Sequence, residues 1–237
     1  MGGASFVGIV IAPWLIWLVN LAGPHGFGPA LPVIPTLAAM SIAYALGEGL
    51  GRLACISFGC CYGKPLSDCS TGAQRLFARN HFIFTGETKK IAYAHNLGGR
   101  EVIPVQTITA VISSLTGLAG CYLFLKGHPY AAFVLTLVVT QVWRMFSELL
   151  RADYRGGGKI SHYQMLSAAA LLYALPVGFW LKESSTGIPD LASGLGVLWN
   201  PALLLALAAI WIVTLIYTGK SKVTSAVIAF HVLKEKI

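Results

Sequence analysis

The sequence predicts an all-α fold: a polytopic bundle of transmembrane helices with a small extramembrane cap that carries a β-hairpin signal. Three observations predict it. Of the 237 residues, 56% are hydrophobic and 11% charged, with a mean hydropathy of +0.70, whereas soluble domains carry about 25% charged residues. No Asp, Glu, Lys or Arg precedes Glu48. Apolar runs of about 20 residues, long enough to cross a bilayer, recur along the chain. The composition argues against a soluble domain, intrinsic disorder, a disulfide-dense scaffold and an ordinary nucleic-acid binder. The net charge of +8 fits membrane topology and anionic lipid instead.

Six spans are expected, all helical, because lipid offers no partner to open backbone groups. They cover about 4–23, 32–60, 102–125, 129–150, 160–181 and 200–217. The first lacks a basic leader and a small-residue cleavage site, so it reads as a retained span. The second is broken by glycines in its later half and carries Glu48 and Arg52. Residues 1–60 and 101–217 thus form the bundle. The polar interval 61–100 forms the cap, where HFIFT and IAYAH flank GETKK as a hairpin signal. Residues 183–199 read as a plain connector, and 218–237 as a basic tail or interfacial helix. If all six spans cross, thirteen Lys and Arg fall on the cap's side and two, Lys126 and Lys182, on the other. The positive-inside rule then places the cap in the cytoplasm.

Charged side chains inside spans are costly and mark functional sites by default. Glu48 and Arg52 lie four apart on one helical face, and Arg144, Glu148 and Arg151 are spaced four and three apart. They read either as internally neutralised pairs or as a cavity in which arginines grip an anionic headgroup. Arginine suits the second role, since its planar fork binds phosphate in bidentate fashion and stays charged. Gly47, Gly49, Gly51, Gly59 and Gly63 punctuate this region, as close helix packing or a broken helix requires.

Cys121 sits in an uncharged span and reads as packing. Cys55, Cys60, Cys61 and Cys69 form C-x4-C-C-x7-C, a poor match to zinc spacings, so no metal is expected. A disulfide from Cys69 to Cys60 or Cys61, a thiol activated by Arg52, and small cavity-lining side chains remain open readings. His95 and His162 lie near span ends without an assigned role. Walker A, G-x-S-x-G and dinucleotide fingerprints are lacking, and no cofactor is expected.

Four segments resemble motifs of the prolipoprotein diacylglyceryl transferase family, in its order, over about residues 45–170. GRLACISFGCCYG resembles its signature GRxGNFxNxExxG. PVQ at 104–106 resembles its H-P-[ST]-Q-L-Y-E segment. WRMFSELLRADYR resembles FRxxxExxR, and SHYQMLS resembles S-x-GQ-x-LS. The resemblance implies a polytopic inner-membrane enzyme with its reactive face outside the cytoplasm, opposite to the charge count. Such an enzyme moves a diacylglyceryl group from phosphatidylglycerol to a prolipoprotein cysteine and releases glycerol phosphate. The resemblance assigns Arg52, Arg144 and Glu148 as catalytic. Arg52 and Arg144 would hold the lipid phosphate, and Glu148 would orient Arg144 or act as base. Cys55, Cys60, Tyr62, Gln106, Arg151 and Gln164 would bind substrate, with Tyr62 and the cap shaping the acceptor entrance. The departures are specific. Cys55 stands at the signature asparagine, Cys60 at the signature glutamate and Ile103 at a histidine. Met1-Gly2-Gly3 stands where the family has His-Gly-Gly, and the family's first helices would precede this chain's start.

The expected partners are therefore phosphatidylglycerol or another anionic phospholipid, plus an acceptor protein or small molecule. Two further readings use the same fold: a thiol or redox protein built on Cys60, Cys61 and Cys69, and a non-catalytic phospholipid-binding scaffold.

Overall fold

The computed structural model describes residues 2–22, 31–152, 160–181 and 188–219. They form two compact units, divided after Pro189. In the first, five long helices pack together: α1 (Gly2–Ala22), α2 (Val33–Phe58), α5 (Val105–Leu125), α6 (Pro129–Leu150) and α7 (His162–Trp180). Between α2 and α5 lie a 3-10 turn at Leu66–Asp68, α3 (Thr71–Phe77), β1 (Phe82–Ile83), α4 (Lys90–His95) and β2 (Glu101–Val102). The second unit holds α8 (Leu191–Val197) and α9 (Pro201–Gly219).

All six expected spans are helical. By length and composition, α2, α5 and α6 can each cross a membrane, and α8 with Pro201–Tyr217, bent by 65°, makes a fourth candidate. Ser5–Leu21 is a shorter apolar helix. Pro13 interrupts its hydrogen-bond ladder, because proline has no N–H to donate. Close by, the Tyr173 hydroxyl donates to the Val10 carbonyl at 3.0 Å and accepts from Trp14 Nε1 at 2.8 Å. That stitch fastens α7 to α1.

The bundle has the pattern of a membrane interior. Large apolar side chains such as Leu50, Leu53, Val111, Leu115, Leu118, Phe146 and Leu149 face outward. Small residues let the backbones approach inside. A Cβ on Gly49 would lie 2.5 Å from Ser114 Oγ, and one on Gly117 would lie 2.6 Å from Leu46 Cδ2. Buried Thr109, Thr136 and Thr140 satisfy their hydroxyls on the carbonyl four residues back, so no polar atom need face lipid. The chain is a multi-pass membrane protein.

Three expectations change. α2 runs unbroken from Val33 to Phe58, since Gly49 serves packing against α5. The hairpin has another partner. Phe82 and Ile83 pair antiparallel with Val102 and Glu101, while IAYAH is helical as α4, closed by Asn96 in the left-handed conformation. Alternation over five residues does not exclude a short helix, and Ile91 is buried from that helix among Tyr62, Phe84 and Val102. The connector at 183–199 contains α8, because Asp190 caps it by accepting from the Ala192 and Ser193 N–H groups. The tail beyond 219, one candidate interfacial helix, lies outside the described residues.

Candidate functional site

The charged faces separate into three neighbourhoods. Glu48 and Arg52 form an ion pair at 2.5 Å on α2, with side chains 13% and 18% exposed. Arg52 Nε is buried without a hydrogen-bond partner, so one donor of its fork is unused. Losing one member of a buried pair strands the other charge and costs about 3–5 kcal/mol. Arg52→Ala should therefore lower thermal stability in detergent by up to that amount, and Glu48→Ala in the same chain should restore part of it. Equal melting of single and double variants would show that the pair is not coupled.

Arg144 is linked to that pair through Tyr44, whose hydroxyl is also hydrogen-bonded to Glu48. Arg144 Nη1 donates to the Tyr44 hydroxyl at 2.8 Å and to Ser5 Oγ at 3.2 Å. Among the described residues it has no carboxylate partner. It is thus a cation in the bundle interior held by two neutral hydroxyls, free to accept an anion. Tyr44 and Ser5 also line a cavity of about 250 Å³ between α1, α2, α6 and α7. The rest of its lining is mostly apolar, including Ile9, Ala12, Leu37, Met40, Phe133 and Leu137. Gln141, one turn before Arg144, also lines it, and its Nε2 is buried without a partner. An apolar cavity whose hydroxyls hold a guanidinium matches a molecule with an acyl tail and an anionic head.

Gly8 lines the same cavity, and a Cβ there would meet nothing within 4 Å. Gly8→Leu should put side-chain atoms into that space with no clash at Cβ, and gain helix propensity, up to about 1 kcal/mol. Copurifying phospholipid should fall while the melting temperature holds or rises. Undiminished lipid in a well-folded Gly8→Leu protein would remove this cavity as the acyl site.

Tyr44 and Ser5 hold Arg144, and Glu148 Oε2 accepts from Ser161 Oγ at 3.4 Å. Ser161 caps α7: its Oγ accepts from Gln164 N–H at 3.2 Å, and Gln164 Oε1 accepts from Ser161 N–H at 2.9 Å. Gln164 Nε2 donates to the Met145 carbonyl at 3.1 Å. Gln164, expected to bind substrate, has its amide occupied in a reciprocal capping box and a brace to α6.

The third neighbourhood holds the cysteines. α2 ends at Gly59, with φ 60°. Gly59 N–H reaches the Ile56 carbonyl at 3.2 Å, and Cys60 N–H reaches the Cys55 carbonyl at 3.1 Å. These two bonds are a Schellman motif, which folds the residue after the glycine back over the helix's last turn. Cys61 follows with φ 57°. The Sγ atoms of Cys55, Cys60 and Cys61 consequently lie within 4.8 Å of one another.

Residues 62–64 then run beside 150–152. Lys64 N–H donates to the Leu150 carbonyl at 2.9 Å, Ala152 N–H donates to the Tyr62 carbonyl at 3.2 Å, and Gly63 bridges Arg151. This pairing brings buried Arg151 to Cys61. Hydrogen bonds from Cys55 and Cys60, then the charge and hydrogen bond of Arg151, hold the Cys61 thiol below the ordinary thiol range. Hydrogen bonding to Cys55 and Cys61, with burial, pushes Cys60 up.

Cys69 is elsewhere. Its thiol donates to the Pro65 carbonyl at 3.3 Å, and it packs on Leu66, Ile103 and Val105. All five cysteines are free, so the bridge from Cys69 to Cys60 or Cys61, one of the open readings, is not formed. Gln106 is buried and ties α5 to the cluster's backbone, Nε2 donating to the Cys60 carbonyl at 2.9 Å. Its Oε1 is buried without a partner. Tyr62 is fully buried and hydrogen-bonded to His95 Nδ1. It anchors the small cluster of Phe84, Ile91 and Val102.

The residues least visible in the sequence are Ser5 and Tyr44. Tyr44, Glu48 and Arg52 share one α2 stripe at intervals of four, and that periodicity was the available signal. Ser5, in an uncharged run, offered none.

A family model described as prolipoprotein diacylglyceryl transferase matches residues 1–180. No curated protein and no solved structure matches the chain.

Proposed function

The chain belongs to the prolipoprotein diacylglyceryl transferase family, and from that premise we propose that it moves a diacylglyceryl group from phosphatidylglycerol to an acceptor nucleophile and releases glycerol phosphate. The family is one of transferases, and the donor is the one the resemblance implies. The observation that carries the reading is Arg144: a cation with no carboxylate ion pair among the described residues, held by Tyr44 and Ser5 where those hydroxyls line an apolar cavity. A phospholipid satisfies both halves, its acyl chain in the cavity and its phosphate on the guanidinium.

The reaction asks little of the protein. The acceptor thiol loses its proton, and its sulfur forms a bond to the glyceryl carbon. The bond from that carbon to the phosphate oxygen breaks, and glycerol phosphate leaves with the electron pair. Stabilising that leaving charge by prepositioned donors is the main service a site can supply. Arg144 supplies it directly. Arg52, whose Nε is unused, adds a donor on the neighbouring stripe. Glu148, which accepts from Ser161, takes the role of proton acceptor.

The test is glycerol phosphate release by purified protein given phosphatidylglycerol and a membrane extract as acceptor source. Release that depends on Arg144 supports the reading, and lipid retained without turnover overturns it in favour of a binding scaffold. We place the protein in the inner membrane with residues 61–100 outside the cytoplasm, because basic residues above a phospholipid site serve binding as well as topology. Cys69 should then react with an impermeant maleimide on intact cells. Labelling only after lysis would reverse the orientation.

A further inference from the structure

We propose that Cys55, Cys60 and Cys61 form a binding site for a thiophilic d10 metal ion, Zn²⁺ or Cu⁺. The proposal does not rest on the transferase reading. Its foundation is that three thiols from one turn converge, with every Sγ within 4.8 Å of the others. Sulfurs on a tetrahedral zinc ion are separated by about 3.8 Å, given a Zn–S bond of about 2.3 Å. Closing the cluster on an ion therefore needs only rotation about side-chain bonds.

The backbone has already done the gathering. The Schellman bond from Cys60 N–H to the Cys55 carbonyl fixes one pair, and the positive φ of Cys61 turns the third residue back. Gln106 and the 62–64 pairing with 150–152 hold this turn from two further elements. Little chain ordering remains to be done when an ion arrives, and that preorganisation favours binding.

The donor set selects the ion. All three ligands are soft sulfurs, and no imidazole or carboxylate joins the group among the described residues. Magnesium and calcium take oxygen ligands, while thiolates select zinc and cuprous ions. Each ligand thiol gives up its proton as its S–metal bond forms. Three thiolates around Zn²⁺ carry a net charge of −1, and around Cu⁺ a net charge of −2. Arg151, hydrogen-bonded to Cys61, and Arg52, which feels Cys61 electrostatically, supply the compensating positive charge. Arginines beside three thiols suit a metallated, anionic cluster, and outer groups of this kind raise metal affinity. The spacing C-x4-C-C argues against zinc only if the ligands are read as the usual pairs. The glycine-capped helix end brings them together by another route.

The test uses the full-length protein in detergent, kept reduced with a phosphine and stripped with a chelator. Co²⁺ is titrated and followed by its thiolate charge-transfer absorbance, then displaced by Zn²⁺. Cu⁺ is titrated against a chromogenic chelator. The metal-bound protein is alkylated, and the modified cysteines are located by mass spectrometry. One ion per chain is expected, with Cys55, Cys60 and Cys61 protected and Cys69 and Cys121 still reactive. Cys60→Ser should weaken binding at least about tenfold, and Cys69→Ser should bind as the unaltered chain does. Because protection is read on the unaltered protein, a variant that misfolds does not decide the matter. No saturable binding of either ion, protection of a different set of cysteines, or unchanged affinity in a folded Cys60→Ser protein would overturn the proposal.

Discussion

Arg144→Ala is expected to lower phosphatidylglycerol-dependent release of glycerol phosphate by about 10²–10³, the usual effect of removing one prepositioned donor from a developing negative charge. The expectation rests on how the side chain is held. Tyr44 and Ser5 fix the guanidinium at 2.8 and 3.2 Å without neutralising it. Among the described residues no carboxylate ion-pairs with it directly, so its charge is open to a ligand. The same fact predicts that the variant folds. Truncation leaves two hydroxyls, which are neutral and cost far less to strand than a charge. Arg144→Lys should fall between the two, since lysine keeps the charge but loses the fork that grips two phosphate oxygens. Tyr44→Phe should cost about tenfold, the worth of one hydrogen bond to a charged group. The measurement is initial rate against lipid concentration for each purified variant. An Arg144→Ala protein that retains half the unaltered rate would remove the phosphate role from this residue. The further possibility, that the phosphate is held mainly at Arg52, would then show as a larger loss in Arg52→Ala than its stability change accounts for.

The fold was largely legible because hydropathy and scarcity of charge both act on a scale of twenty residues. The lipid phase enforces that scale. The five intramembrane charges were legible for the same reason, since each is expensive where it stands. What each charge touches was not. Glu148 is three residues from Arg151 and four from Arg144, so helical spacing alone suggested that it served one of them. The partner of Arg144 came instead from α1 and α2, at sequence separations of 139 and 100. No local pattern reports such a contact. The cysteines failed differently. Their convergence is local, written in the glycine between Cys55 and Cys60. It follows from helix-capping chemistry and not from metal-ligand spacing. The strand pairing of Phe82 with Val102 is another contact across a gap that alternation cannot span. IAYAH, the nearer candidate, had a helix-ending asparagine behind it.

Gly63→Ala should be among the most damaging single-methyl changes in the chain. A Cβ at this position would sit 2.4 Å from the Ile103 carbonyl oxygen and 2.7 Å from Ile103 Cβ. The carbonyl is backbone and cannot swing aside. Ile103 N–H donates to the Lys64 carbonyl at 3.1 Å, and Lys64 N–H donates to the Leu150 carbonyl at 2.9 Å. Residues 62–65 are thus gripped from both sides, so relief must come by separating one of those contacts. Overpacking of this kind costs about 1–3 kcal/mol, occasionally more. The local consequence should exceed the global one. Gly63 bridges Arg151, and displacing it moves Arg151 away from Cys61. Thermal unfolding in detergent should show the stability loss, and alkylation kinetics should show the thiol turn opening. Gly51→Ala is the matched control, because a Cβ there meets nothing within 4 Å. It lies within α2, so it should be neutral or gain up to about 1 kcal/mol from helix propensity. If Gly63→Ala melted with Gly51→Ala and left the thiols unchanged, residues 62–65 would have room that the close approach to Ile103 denies. The positioning of Arg151 over the cysteines would then need another cause.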